Sequence, residues 1–202
     1  MISPVSTTVF IDWDSARRIV PPKITKRSGD LRSVGGDAII LLQNLIAERL
    51  KKRRPRYNHR VTLRLYHGWH TGKSPTADRI ELEDLVSSLG LQRTINNCSF
   101  TPELHFGSLL LCGGRRSQIM DTLRSQTKKE KKAQKMVDTS LTSDLLCFAK
   151  QNPSAVSIVV GDDDDLAPGV ITADAWGHTT FISRVKRPSE NKHLEIKDLI
   201  LS

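Results

Sequence analysis

The feature that most constrains this chain is a repeating alternation: short β-branched apolar runs, each followed by a segment with helical spacing. Thr7 to Ile11 (TTVFI), Val61 to Tyr66 (VTLRLY), Ser108 to Cys112 (SLLLC), Val156 to Val160 (VSIVV) and Thr179 to Ile182 read as strands. Between them, Ile39, Leu42, Ile46 and Leu50 recur at three-to-four spacing in a helix from about Ala38 to Lys52, which Asp37 can cap. Thr76 or Asp78 opens a second helix running to Gly90, Asp138 to Lys150 is a third, and Leu166 to Ala175 a fourth that stops at Gly177. Arg17 to Gly36, with its prolines and glycines, reads as an irregular excursion. Strand–helix alternation along the whole length predicts an α/β domain with a mostly parallel central sheet covered on both faces. In such sheets functional groups gather beyond the carboxyl ends of the strands, above all where the strand order reverses.

The chain's 202 residues suit one domain, expected over residues 1–185, with 186–202 as a tail or a terminal helix (HLEIKDLIL). A hydrophobic fraction of 38% against 26% charged residues belongs to a soluble globular chain. The longest strongly apolar stretch, Ala38 to Ala47, is broken by Gln43 and Asn44 and falls short of a membrane span. The amino terminus does not read as a signal peptide. Three widely spaced cysteines with no C-x-x-C pair suggest neither a disulfide framework nor a zinc site, which makes a reducing cytoplasm the expected location. Oligomeric state is left open, a homo-oligomer included.

Charge is the unusual part of the composition. Thirty-one Lys plus Arg against 22 Asp plus Glu leave +9, which points to a polyanionic partner. The acidic residues nevertheless concentrate where the fold rule puts an active site. The first strand ends on Asp12, with Asp14 two residues on. The Val156 to Val160 strand runs through Gly161 into Asp162, Asp163, Asp164 and Asp165, and the helix before it carries Asp138 and Asp144. Adjacent carboxylates repel by about 1 kcal/mol per pair at 4 Å in water and about 4 kcal/mol at an effective dielectric of 20, so something positive should compensate them. A hard divalent cation does so with oxygen ligands and retained waters. Taken singly, Asp12 can be a turn residue, Asp138 an N-cap and the Asp run a solvated loop; jointly they favour a metal site. Asp144 lies about 240° around the helix from Asp138 and is a weaker member.

These segments resemble a family. Phe10-Ile11-Asp12, Lys135-Met136-Val137-Asp138 and Val159-Val160-Gly161 through Pro168, with Gly177 downstream, are similar to the LabA-like NYN domains of the PIN-like nuclease superfamily. The resemblance spans most of residues 7–183 but is thin from Gly68 to Arg124, and Ser15 occupies the place where the family usually has asparagine. It implies a three-layer α/β/α sandwich and an endoribonuclease that uses Mg2+ or Mn2+. Counting back from Pro168 carries the family's paired aspartates onto Asp163 and Asp165; counting from Gly161 would select Asp162 and Asp164. The expected metal ligands and catalytic residues are thus Asp12, Asp138, Asp163 and Asp165, with Asp14, Asp144 and Asp162 secondary.

Three basic segments can hold the backbone of an RNA partner: Arg17 to Arg32 with Arg17 and Arg18, Arg49 to Arg60 with Arg53 and Arg54, and Lys128 to Lys135 with Lys128, Lys129, Lys131, Lys132 and Lys135. Tyr57 and His59 add stacking faces to the second. Gly72-Lys73-Ser74 lacks the upstream glycine of a P-loop, and His67, Trp69 and His70 have no metal-ligand partner set, so both stretches read as turns. An RNA-binding module with weakened catalysis, or a scaffold recruiting partners through its C-terminal segment, are the rival readings.

Overall fold

The computed structural model of the chain describes residues 3–20, 31–112, 118–125, 132–185 and 196–199. Its frame is a seven-stranded sheet. In chain order the elements are β1 (Val5–Asp12), α1 (Trp13–Ala16), α2 (Leu31–Arg53), β2 (His59–Tyr66), β3 (His70–Thr71), β4 (Ser74–Pro75), α3 (Ala77–Leu89) and β5 (Thr94–Ile95). They continue with β6 (Cys98–Phe106), β7 (Leu123–Ser125), β8 (Lys132–Gln134), α4 (Val137–Gln151), β9 (Val156–Gly161), α5 (Ala167–Ala175), β10 (Thr179–Val185) and β11 (Ile196–Leu199). The sheet order is β11-β10-β9-β1-β2-β6-β5. The five strands from β10 to β6 are parallel, and β11 and β5 join the edges antiparallel. β3 pairs with β4 and β7 with β8 in two small hairpins.

Alternating residues of β1 explain the packing. Val9 and Ile11 are buried with Ile39, Leu42, Ile46 and Leu50 of α2 and Leu82 of α3. Phe10, pointing the other way, packs with Leu141 and Leu145 of α4, Val170 of α5 and Tyr66. Each large side chain so buried contributes about 1.5–3 kcal/mol, which secures the register. That register sets Asp12 beside Tyr66 and Ile11 beside Val160. Among the described residues, no helix is long and apolar enough to cross a membrane.

The α/β class and the mostly parallel sheet are as expected, but several elements differ. Ser108 to Cys112 is not a strand; only an isolated bridge, Leu109 with Gln118, forms there. Its place is taken by β6, whose mixed sequence (CSFTPELHF) has no apolar run. Pro102 cannot donate to a ladder, and the register with β2 slips between Val61 and Leu63, opposite it. Asp37 does not cap the first long helix, which begins at Leu31. The HLEIKDLIL segment, expected as tail or helix, forms β11 over Ile196–Leu199 and completes the sheet edge. Gly90, at φ 53°, ends α3 in the left-handed conformation anticipated for it.

Candidate functional site

The strand order reverses at β1: the chain first moves outward to β2 and β6, then returns to place β9 on the other side. The crevice beyond the carboxyl ends of β1 and β9 is therefore the switch point of the sheet. A cleft of about 880 Å³ opens there, lined by Asp12, Asp14, Asp138, Asp162, Asp163 and Asp164, with Arg17, Arg18 and His67 among the other walls. Gly161 leaves room for the buried Leu166 side chain beside Asp12. A Cβ on it would lie 2.6 Å from Leu166 Cδ1 and 3.4 Å from Asp12 Cβ.

Asp12 ends β1 and caps α1, accepting from the Asp14 amide (3.1 Å) and from the Ser15 hydroxyl. Ser15, where the resemblance expects asparagine, therefore orients the aspartate. Asp138 stands in the first turn of α4, which follows Met136 in the left-handed conformation (φ 64°) and is anchored by buried Val137. Asp163 caps a short 3-10 turn, its Oδ1 accepting from the Asp165 amide at 2.9 Å. Asp162 is half-buried, whereas Asp163, Asp164 and Asp165 are exposed. Asp164 pairs with Arg184.

Charge ties four of these groups together. Burial pushes the Asp12 carboxyl above its usual range, the Ser15 hydrogen bond opposes that, and the Asp14 charge adds to it. The Asp138 carboxyl is raised by partial burial first and then by repulsion from Asp12, Asp163 and Asp165. Asp12 and Asp163 thus meet Asp138 in the cleft at the switch point, whereas Asp165, expected as a ligand, is not part of the lining, where Asp162 and Asp164 stand instead. The donors are all carboxylate oxygens, the chemistry a hard divalent cation takes. Among the described residues, however, no group of three or more His, Cys, Asp or Glu is assembled so as to hold a metal ion directly.

Asp14 and Asp144 behave differently from Asp12. Asp14 is ion-paired with Arg17 and lies 4.0 Å from Arg18. Asp144 is a correction: it faces the core, not the cleft. Its carboxylate takes hydrogen bonds from Arg64 Nε (2.8 Å), the Tyr66 hydroxyl (2.7 Å) and the Leu111 amide (2.6 Å). The helical angle that separates it from Asp138 sends one aspartate to the site and buries the other.

The basic segments also separate. Arg17 and Arg18 line the cleft, and Arg17 bridges Asp14 and Asp78. Lys135 is exposed three residues before Asp138, after β8. Lys128, Lys129 and Lys131 lie outside the described residues, as does the Lys132 side chain. Arg53 and Arg54 do not belong to the cleft. Arg53 ends α2 and Arg54 follows it toward the start of β2, at the amino end of the sheet, because a crossover helix runs antiparallel to its strands. Seven residue steps along β1, about 23 Å, separate the two ends.

His67, read from the sequence as part of a turn without a metal-ligand partner set, and Asp78, read as a helix opener, meet Gln134 at the wall of the cleft. His67 Nε2 meets Asp78 Oδ2 at 2.9 Å and its Nδ1 meets the Gln134 amide at 2.9 Å. The His67 hydrogen bond, and after it the attraction of His67 and then Arg17, holds the Asp78 carboxyl below its usual range against the opposing effect of burial. The only sequence signal was that His67 directly follows a strand, one position beyond the residue paired with Asp12.

No family model, no curated protein and no solved structure matches this chain.

Proposed function

We propose that the protein is a metal-dependent endoribonuclease of the cytoplasm, built as a three-layer α/β/α sandwich of the PIN-like, NYN kind. The observation that carries the reading is the meeting of Asp12, Asp138 and Asp163 in one cleft at the switch point of a parallel sheet, in a chain of net charge +9. Bound there, Mg2+ or Mn2+ would lower the pKa of a coordinated water and neutralise charge on the phosphate. Asp12 and Asp138 would hold the ion, with Asp163 and Asp165 acting through its waters. Ser15 keeps the Asp12 oxygens oriented, and Gly161 leaves room for them. Arg17, Arg18 and Lys135 flank the carboxylates and would hold the phosphodiester backbone without reading sequence. His67, fixed by Asp78 and Gln134, stiffens the wall that carries Arg17.

Labelled single-stranded RNA incubated with Mg2+, Mn2+ or EDTA tests this reading. Cleavage should require the metal and disappear in the Asp163→Asn/Asp165→Asn variant, with the circular dichroism spectrum unchanged. Undiminished cleavage by that variant rejects the assignment. The pairing of Asp14 with Arg17 favours one rival, a binding module whose first acidic segment is neutralised. That rival predicts salt-sensitive RNA retention with no turnover under any divalent ion.

A further inference from the structure

Two depressions open at the amino end of the sheet, remote from the acidic cleft. One, of about 490 Å³, is walled by Arg53, Arg54, Pro55, Arg56, Tyr57 and Phe181. The other, of about 790 Å³, is lined by Arg56, Asn58, Asn96, Asn97, Ser99 and Thr94 along with the first described residues of the chain. Arg56 borders both, so the two adjoin. Among the described residues no acidic side chain lines either, in contrast to the cleft.

The surface combines three chemistries. The Arg54 guanidinium lies 4.6 Å from the centre of the Tyr57 ring, and that of Arg53 lies 5.5 Å from Phe181. Stacking of this kind holds a guanidinium flat while leaving its in-plane N–H donors aimed outward, the geometry for phosphate. Tyr57 is 42% exposed although aromatic, so part of its ring is open to a further planar partner. Beyond Arg56 the lining changes to amides and hydroxyls, which hydrogen-bond unpaired base edges. Lys51 and Lys52, exposed in the last turn of α2, extend the positive charge.

We infer that this amino-end surface binds single-stranded nucleic acid, with phosphates on Arg54 and Arg56, a base on Tyr57 and base edges toward the exposed Asn58 and Asn96, while the Asn97 amide braces the platform by donating to the Arg54 and Tyr57 carbonyls. The chemistry is that of a stacking platform beside a basic groove, which favours unpaired strands because each base has an accessible face. The site needs no divalent ion. It stands independently of the reading of the acidic cleft, about 23 Å away along β1.

Fluorescence anisotropy with a labelled oligouridylate of about 20 nucleotides, in EDTA, tests it, with fluorescent heparin as a polyanion lacking bases. Tyr57→Ala should weaken oligonucleotide binding by about 5- to 150-fold while leaving heparin binding unchanged, and Tyr57→Phe should restore it. Arg54→Gln/Arg56→Gln should reduce the log–log salt slope by about 1.4, at about 0.7 per lost phosphate contact on a single strand. Circular dichroism and thermal melting confirm that each variant is folded. Binding within about twofold of wild type for Tyr57→Ala overturns the proposal. So does an equal loss for heparin and oligonucleotide, which would mark a surface for acidic polymers in general, or loss of binding only in Arg17→Gln/Arg18→Gln.

Discussion

Two aspartates six residues apart on one helix should respond to the same substitution in opposite ways. Asp144 is 1% exposed and its partner Arg64 8%, with Tyr66 and the Leu111 amide completing the network. Asp144→Asn keeps the shape but leaves a buried guanidinium without its counter-charge, a change that costs about 3–5 kcal/mol. Measured against a total of about 5–15 kcal/mol for a domain, that is severe, and at about 2–4 °C per kcal/mol it lowers Tm by about 6–20 °C. Asp138 sits exposed at the mouth of the cleft, where its carboxyl is pushed up by burial and by three neighbouring carboxylates. Removing its charge relieves repulsion, so Asp138→Asn should leave stability unchanged or slightly raised, within about 0.5 kcal/mol. Urea unfolding followed by circular dichroism measures both, the midpoints moving with the slope unchanged. Calorimetric titration with Mn2+ should show the converse pattern, binding kept in Asp144→Asn and lost in Asp138→Asn. Replacing both partners, as Arg64→Met/Asp144→Leu, should recover much of the loss, since no charge is then stranded. A cost below about 1 kcal/mol for Asp144→Asn, or equal effects of the two variants, refutes the division of the helix into a site face and a core face.

Three further outcomes are expected. Gly161→Ala drives a Cβ to 2.6 Å from Leu166 Cδ1 and against Asp12, so it should cost about 1–3 kcal/mol in a thermal melt and weaken Mn2+ binding together. Ser15→Ala removes the hydrogen bond that opposes the rise of the Asp12 pKa, so the pH needed for half-maximal Mn2+ binding should move upward; an unchanged or lower midpoint refutes the orienting role. Burial holds the His59 and His178 imidazoles, 1% and 2% exposed, below the usual histidine range. The unfolded chain then takes up more protons than the folded one, so stability is lost as pH falls from about 6.5 toward the depressed folded values. A urea midpoint that stays constant between about pH 7 and 5.5 contradicts this.

Much of the site was legible because its signals are local. A β-branched run that ends on Asp12, and another that ends on Gly161 and four aspartates, declare both strand and site within ten residues of chain. The basic segments were equally visible, but their positions were not. Arg17 and Arg53 look alike in sequence; one borders the carboxylates and the other sits at the far end of the sheet, because the helix between them carries the chain back to the strands' amino ends. β6 escaped notice since its inward positions, Cys98, Phe100 and Leu104, are interrupted by Pro102 and a register slip. SLLLC misled in the opposite sense, its apolar residues serving a loop whose Leu111 amide binds Asp144. His67 became visible only when Asp78 and Gln134, 11 and 67 residues distant, closed on its ring.

By itself, then, the sequence determined the α/β class, the parallel central strands and the aspartates at their carboxyl ends, because periodicity and strand termini are properties of neighbouring residues. Only the tertiary structure decided which charges meet. Whether a carboxylate is buried against an arginine, as Asp144 is, or left to repel its neighbours beside an open cleft, as Asp138 is, depends on through-space distance and solvent exposure, and neither is written in the order of the residues.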